Sequence, residues 1–503
     1  MKMKTFIAVL TLLLCGSAIG GAEVRLPGLI SSHMVLQRGA PVRIWGWAEP
    51  NESVTVTFAG QSVSRHAEVN GHWEVFLKPM ERGGPAVLTV TGSNKLTLED
   101  VVVGEVWVAS GQSNMEFRLR QADHAEHAID QANLPRLRLF NVPHVIAEDK
   151  PMEDAPGTWA SATPETAGNW PAVAFYFGRD ILRTQNVPVG LINASYSGTP
   201  AQAWTSHGAL AGDPSLKWVF DRWNEALERY SPAMDKYEKE WEDYQERAAE
   251  LRAKGMPAPD RPWPPIGKGH SNTPSVLFNG MIAPITPFTI RGVIWYQGEQ
   301  NGNADTFAYR TLFRTMIEDW RAAWGIGPFP FYFVQLPACQ AGGLWPLLRE
   351  SQAEALSLRN TGMAVTIDLG DANNPRNVHP TNKQPVGERL ALIARARTYG
   401  ERIVDSGPVV RQVANEGERL RVWFEQTGSG IEARSGGALT GFALAGKDGR
   451  FVAAQAVIDG DTVVVSTPAV GHPLFVRYAW ADYPAANLTN HEGLPAAPFR
   501  SDR

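Results

Sequence analysis

Cysteine is almost missing from this 503-residue chain, which carries only Cys15 and Cys339. That scarcity excludes a disulfide-stapled fold and any zinc site built on paired CxxC steps. No HExxH is present, and no GxGxxG follows a strand, so nothing calls for a metal or an organic cofactor. Neither sign of charge dominates: 47 Lys and Arg face 52 Asp and Glu, a formal net charge of -5. Such a balance offers no basic stripe for phosphates, which argues against a nucleic-acid partner. Long apolar runs are also missing beyond residue 14, so no later segment approaches the roughly 20 residues that span a bilayer. The sequence carries no signal of oligomeric state.

What is present describes a packed globular protein of several domains. Hydrophobic residues make up 44% of the chain, with 17 Trp among them, and a single core rarely grows beyond roughly 250 to 300 residues. The first segment stands apart. Lys2 and Lys4 precede an apolar run over 6–14, and small residues follow to Ala22. This is the pattern of a secretory signal peptide over 1–22, cleaved after Ala22. A lipoprotein role for Cys15 is disfavoured by Leu14, which stands where a small residue is needed. Once the leader is removed Cys339 has no internal partner, and the expected location is a periplasm or the medium.

From 23 to 100 the chain shows short runs of period-two alternation, such as Val54-Thr55-Val56-Thr57-Phe58, broken by Gly60, Asn70-Gly71 and Gly83-Gly84. An N-terminal β-sandwich is predicted there. From 101 to 400 the rhythm becomes strand, loop and helix, with apolar strands at 101–109, 189–194, 291–296, 331–336 and 363–368. Five such strands predict an α/β domain with a flavodoxin-like parallel sheet, whose ligands bind beyond the strands' carboxyl ends. A charged helical insertion over about 208–270 interrupts it. Its aromatic residues Tyr230, Tyr237, Trp241 and Tyr244 predict a helical hairpin packed on the main domain, with a lid as the alternative. Alternation returns from 401 to 503, predicting a second β-domain.

Four of the predicted strand ends carry polar residues. The first runs into Ser110-Gly111-Gln112-Ser113-Asn114, which puts a hydroxyl at the sheet's carboxyl edge beside backbone N–H groups. Alone, such a serine is far more often a helix cap, and the surrounding motif changes that weighting. The second leads to Ser197-Gly198, where the backbone N–H approaches a substrate unhindered by a side chain. The third ends in Gln297-Gly298-Glu299-Gln300-Asn301, and the fifth leads through Asp368 and Asp371 to His379-Pro380. Histidine is the usual base for a serine proton because its pKa near 6.5 lets it cycle at neutral pH. Serine and histidine on one rim imply acyl transfer.

Across these segments, from Met34-Val35-Leu36-Gln37 to Tyr478-Ala479-Trp480-Ala481-Asp482, the chain resembles the SGNH hydrolases, and within them the sialate O-acetylesterase family of carbohydrate esterases. The resemblance implies an SGNH hydrolase domain flanked by β-domains, with Ser113 as nucleophile and His379 as base. It also implies an oxyanion hole from the N–H groups of Ser113 and Gly198 and the Gln297 amide, with Asn301 a weaker candidate. Where many of these enzymes place Asp three residues before the histidine, this chain has Arg376. The group that orients His379 is open between Asp371, slightly favoured as the third catalytic residue, a backbone carbonyl near Asn377, and Asp368 deep in its strand. Gln112, Asn114, Glu299, Asn301 and Arg349 are candidates for contacting substrate, Arg349 with a structural salt bridge as its competing role.

The expected activity is removal of O-acetyl groups from a sugar or glycan, on sialic acid or on a polysaccharide such as acetylated xylan. A noncatalytic glycan-binding protein is the alternative from another class.

Overall fold

The computed structural model describes residues 23–302 and 306–502, so the expected leader over 1–22 lies outside the described residues. Its centre is a path of seven strands: β1 (Lys95–Gly111), β2 (Leu134–Asn141), β3 (Trp159–Ala162), β4 (Val189–Ser195), β5 (Gly292–Tyr296), β6 (Phe331–Gln335) and β7 (Thr361–Val365). Side by side they run β3-β2-β4-β1-β5-β6-β7. Every neighbour pair is parallel except β2 with β3. The five strands expected from the sequence take the order 2-1-3-4-5, the flavodoxin-like arrangement.

β2 and β3 extend that set on the β4 side. Pro135, Arg136 and Arg138 make β2 look like surface chain, yet Arg138 is buried. Its guanidinium donates to the carbonyls of His33 and Asp100 and pairs with the Asp100 carboxylate.

The two faces of the sheet are covered because side chains alternate along each strand. Trp107 on β1 registers with Gly292 on β5, so Trp295, three residues further, points to the opposite face. Trp107 meets Phe177 of the helix Ala172–Gln185, and Trp295 meets Phe313 and Trp320 of the helix Tyr309–Trp324. In chain order the helices of interest are α1 (Ser113–Glu116), α2 (Ala172–Gln185), α3 (Lys217–Ala253), α4 (Tyr309–Trp324), α5 (Trp345–Ala353) and α6 (Gln384–Arg397). α4 buries Leu312, Phe313, Met316, Ile317, Trp320 and Trp324, a stripe at steps of three and four. It stops at Gly325, whose left-handed φ of 64° suits glycine.

β1 belongs to two sheets. Its first residues alternate in burial and pair with Gly83–Thr91 as far as Val103, while the run from Val101 onward is buried throughout and pairs with β4 from Glu105 and with β5 from Trp107. The sequence already shows the change: Lys-Leu-Thr-Leu-Glu-Asp alternates, and Val-Val-Val does not. At this junction Glu105 is fully buried, bonded by Arg38 Nε at 2.5 Å, Arg291 Nε at 2.8 Å and Gln37 Nε2 at 3.1 Å.

The C-terminal region contains two four-stranded antiparallel sheets. Phe424 of one and Phe499 of the other meet at 6.0 Å between ring centroids.

The insertion corrects an expectation. In place of a hairpin, α3 is a single helix of 37 residues, and only Val219 and Ala248 are buried in it. Its aromatic stripe stacks largely on itself, Tyr237 on Trp241 and Trp241 on Tyr244. The Pro-rich return strand of chain covers it, with Arg261 over Trp241 and Gly267 against Tyr230. Among the described residues no helix is long and apolar enough to cross a membrane.

Candidate active site

The site is assembled at the carboxyl edge, from loops that leave β1, β4, β5 and β7. Gly111 ends β1 at a φ of +139°, where any Cβ would fall 2.1 Å from the Tyr296 carbonyl of β5. Only glycine allows that approach, and it turns the chain so that Ser113 opens α1 above the sheet. The Ser113 hydroxyl meets His379 Nε2 at 2.8 Å, although 266 residues separate them. Both side chains are partly exposed.

After β4 the chain turns through Gly198, with φ +72° and open space around it. Glu116 of α1 braces this turn by accepting the Ser197 N–H at 2.8 Å. Among the described residues the N–H groups of Ser113 and Gly198 donate to no protein group. Two N–H donors are therefore open, one on the serine itself and one on the loop that Glu116 braces.

The third expected donor is a correction. Gln297 is fully buried, and its Nε2 donates to the Thr199 carbonyl at 3.2 Å and to Asn301 Oδ1 at 2.8 Å. Its Oε1 accepts from Tyr309 at 2.9 Å. Both amide hydrogens are spent inside the protein, so none is left for substrate. Asn301 is buried and engaged too: its Oδ1 accepts from the Ala201 N–H and Gln297, and its Nδ2 donates to Gln202.

The orienting carboxylate is a second correction. Asp371 accepts the backbone N–H groups of Asn373 and Asn374 and the Asn377 side chain, and it does not bond the imidazole. Asn377 in turn accepts the His379 N–H at 2.9 Å, so Asp371 orders the loop rather than the ring. Asp368 is held by Arg389 and Arg434. Burial works against its charge, but the two guanidiniums keep its pKa below the usual carboxylate value. Among the described residues no carboxylate is hydrogen-bonded to the His379 ring.

Three expected substrate contacts turn out to be internal. Asn114 is fully buried and joins three elements. Its Nδ2 donates to Glu299 and, at 2.8 Å, to the Val378 carbonyl next to His379, while its Oδ1 accepts from Lys383. Arg349 is fully buried, and it donates to the carbonyls of Leu336, Pro337, Ala481 and Asp482, tying the end of β6 to the C-terminal region. Burial pushes its pKa down to about 9. Gln112 is buried with its Oε1 accepting the N–H groups of Gly298 and Gln300, which fixes the turn after β5.

Lys383 is the residue the sequence reading missed. Its cation lies 4.8 Å from the Phe117 ring centre and 5.3 Å from that of Tyr296. Burial lowers its pKa to about 7. Burial raises the pKa of Glu299, against the pull of Asn114 and Lys383, and Glu299 Oε2 is closed to solvent without a partner. His379 is lowered, first by burial and then by the charge of Lys383. A lysine just ahead of a helix reads as a surface charge, so no local pattern marks it.

The chemistry available is a hydroxyl, a base on it and two open N–H donors. Comparisons with known proteins bear on the same region. The model of a carbohydrate esterase family described as sialic acid-specific acetylesterase matches residues 272–395. The mouse sialate O-acetylesterase is 30% identical, with 96% of this chain and 95% of that protein covered. The human sialate O-acetylesterase is 32% identical over 83% and 80%. Among solved structures, a carbohydrate acetylesterase from Xanthomonas citri matches with a TM-score of 0.81 at 38% identity, covering 95% of this chain and 99% of the other.

Proposed function

This chain belongs to the sialate O-acetylesterase family and is a carbohydrate O-acetylesterase, and from that premise we propose that it works by a serine acyl-enzyme mechanism. The observation that carries the mechanism is the 2.8 Å contact between the Ser113 hydroxyl and His379 Nε2.

Ser113 Oγ attacks the acetyl carbonyl carbon while His379 Nε2 takes the serine proton. The carbonyl oxygen becomes an oxyanion held by the N–H groups of Ser113 and Gly198. The C–O bond to the sugar then breaks, and His379 returns its proton to the departing sugar oxygen. Water, deprotonated by the same imidazole, attacks the acetyl-serine and releases acetate. His379 enters the cycle neutral, the form that its burial and the Lys383 charge favour by lowering its pKa.

The proposed substrate is an O-acetylated sialic acid. The Xanthomonas neighbour, described more broadly as acting on carbohydrate, supports testing acetylated xylan beside it. We further propose export guided by residues 1–22. The division at 23–100, 101–400 and 401–503, with sandwich packing of the flanking sheets, belongs to the same reading.

Acetate release from 4-nitrophenyl acetate, O-acetylated sialyllactose and acetylated xylan tests this. Wild type is expected to cleave the acetyl esters, and Ser113→Ala to lose about 10⁴-fold or more in kcat with its fold intact. A folded Ser113→Ala that keeps its rate rules the mechanism out.

A further inference from the structure

Beside the Ser113 site lies a cavity of about 230 Å³ between the first turns of α3 and the loops after β4 and β5. That is room enough for a single pyranose ring. Its wall includes Gln202, Trp218, Trp223, Ile266, Asn272 and Gln300. The cavity shares two loops with the reacting groups. Gln202 follows Gly198 on the same loop, and the Gln300 N–H donates to Gln112, the residue before Ser113, at 3.2 Å.

Two features distinguish this space from a packing defect. Its rim has unspent hydrogen-bonding capacity: among the described residues the Gln300 side chain makes no hydrogen bond, and the Gln202 side chain engages only its Oε1, with Asn301. The Trp223 indole is partly exposed and has no aromatic or cationic ring partner among the described residues. Deeper in the wall, Trp218 Nε1 and Asn272 Oδ1 are closed to solvent and make no hydrogen bond. Unmet polar groups cost stability, so this wall is not arranged for the stability of the empty fold. Arg222 lies over the Trp218 ring at 5.0 Å, whereas the open Trp223 indole beside accessible amides matches a sugar ring, which presents an apolar C–H face and equatorial hydroxyls.

We infer that this cavity is a glycan subsite, taking the sugar unit next to the acetylated one and so selecting a glycan over a free acetyl ester. The inference rests on the acetylesterase reading above. It also gives the insertion a role: α3 supplies Trp218 and Trp223 as one wall of the subsite.

The test compares Trp223→Ala and Gln300→Ala with wild type on 4-nitrophenyl acetate, which is too small to reach the cavity, and on an acetylated xylo-oligosaccharide and O-acetylated sialyllactose. The ratio of kcat/KM for the better oligosaccharide to that for 4-nitrophenyl acetate is expected to fall about tenfold or more in each variant. An unchanged ratio overturns the subsite, whether both rates hold or both fall together. Tryptophan fluorescence titrated with the two deacetylated oligosaccharides reads the cavity without chemistry, and the signal is expected to disappear in Trp223→Ala. Binding that persists in that variant counts against the subsite. Binding by a wild type that hydrolyses none of the three esters sinks the acetylesterase reading and leaves the subsite standing.

Discussion

Two buried ionic clusters sit at opposite ends of β5, and they are built to different standards. At the amino end Glu105 is met by Arg38, Arg291 and Gln37, so the buried carboxylate has three donors. Burial opposes the charge on Arg291, but Glu105 outweighs it and raises the pKa of the guanidinium. At the carboxyl end Glu299, Asn114 and Lys383 form a chain with one carboxylate oxygen unmatched. There burial prevails, lifting the carboxyl and lowering the ammonium to about 7. Complete pairing holds two sheets together, whereas incomplete pairing keeps charges adjustable next to His379.

The difference can be broken at either end. Glu105→Ala leaves two arginines without their carboxylate and is expected to cost about 3 to 5 kcal/mol of stability, with kcat/KM per folded molecule unchanged. Urea unfolding beside an assay of the native fraction checks both halves, and a loss of activity without loss of stability would make the clusters alike. Lys383→Met acts at the other end. It frees Asn114, which ties Ser113's helix to the Val378 carbonyl, and is expected to lower kcat/KM by about 10²-fold through misplacement of His379.

A pH profile sharpens the contrast further. In wild type the acid limb of kcat/KM should lie below the ordinary histidine value, because both burial and the Lys383 cation disfavour imidazolium. Without that cation protonation is easier, so the limb moves to higher pH in Lys383→Met; a stationary limb would separate Lys383 from the base. The smallest effect is expected at Asp371. Asp371→Ala loosens only the loop and should cost less than about tenfold in kcat, whereas loss of a true triad carboxylate costs about 10⁴-fold.

Much of this was legible before any coordinates. The parallel strands read as near-continuous apolar runs because both faces are buried, and their carboxyl ends pointed to Ser113, Gly198 and His379. β2 stayed hidden because Arg138 is buried through partners 38 and 105 residues away, Asp100 and His33. The amides of Gln297, Asn301 and Asn114 looked available for substrate for a related reason. Whether an amide is free depends on long-range hydrogen bonds, and no local spacing records them. Lys383 escaped because its burial comes from Phe117 and Tyr296, which belong to other segments.

The strand shared by two sheets has an evolutionary consequence. A module that can be traded between genes needs a seam where the chain crosses from one body to the next through few contacts. Here the crossing is the middle strand of the catalytic sheet, and the serine follows two residues after its end. Recombination there would carry off the floor of the active site, so the amino-terminal region is bound to be inherited with the esterase as one piece.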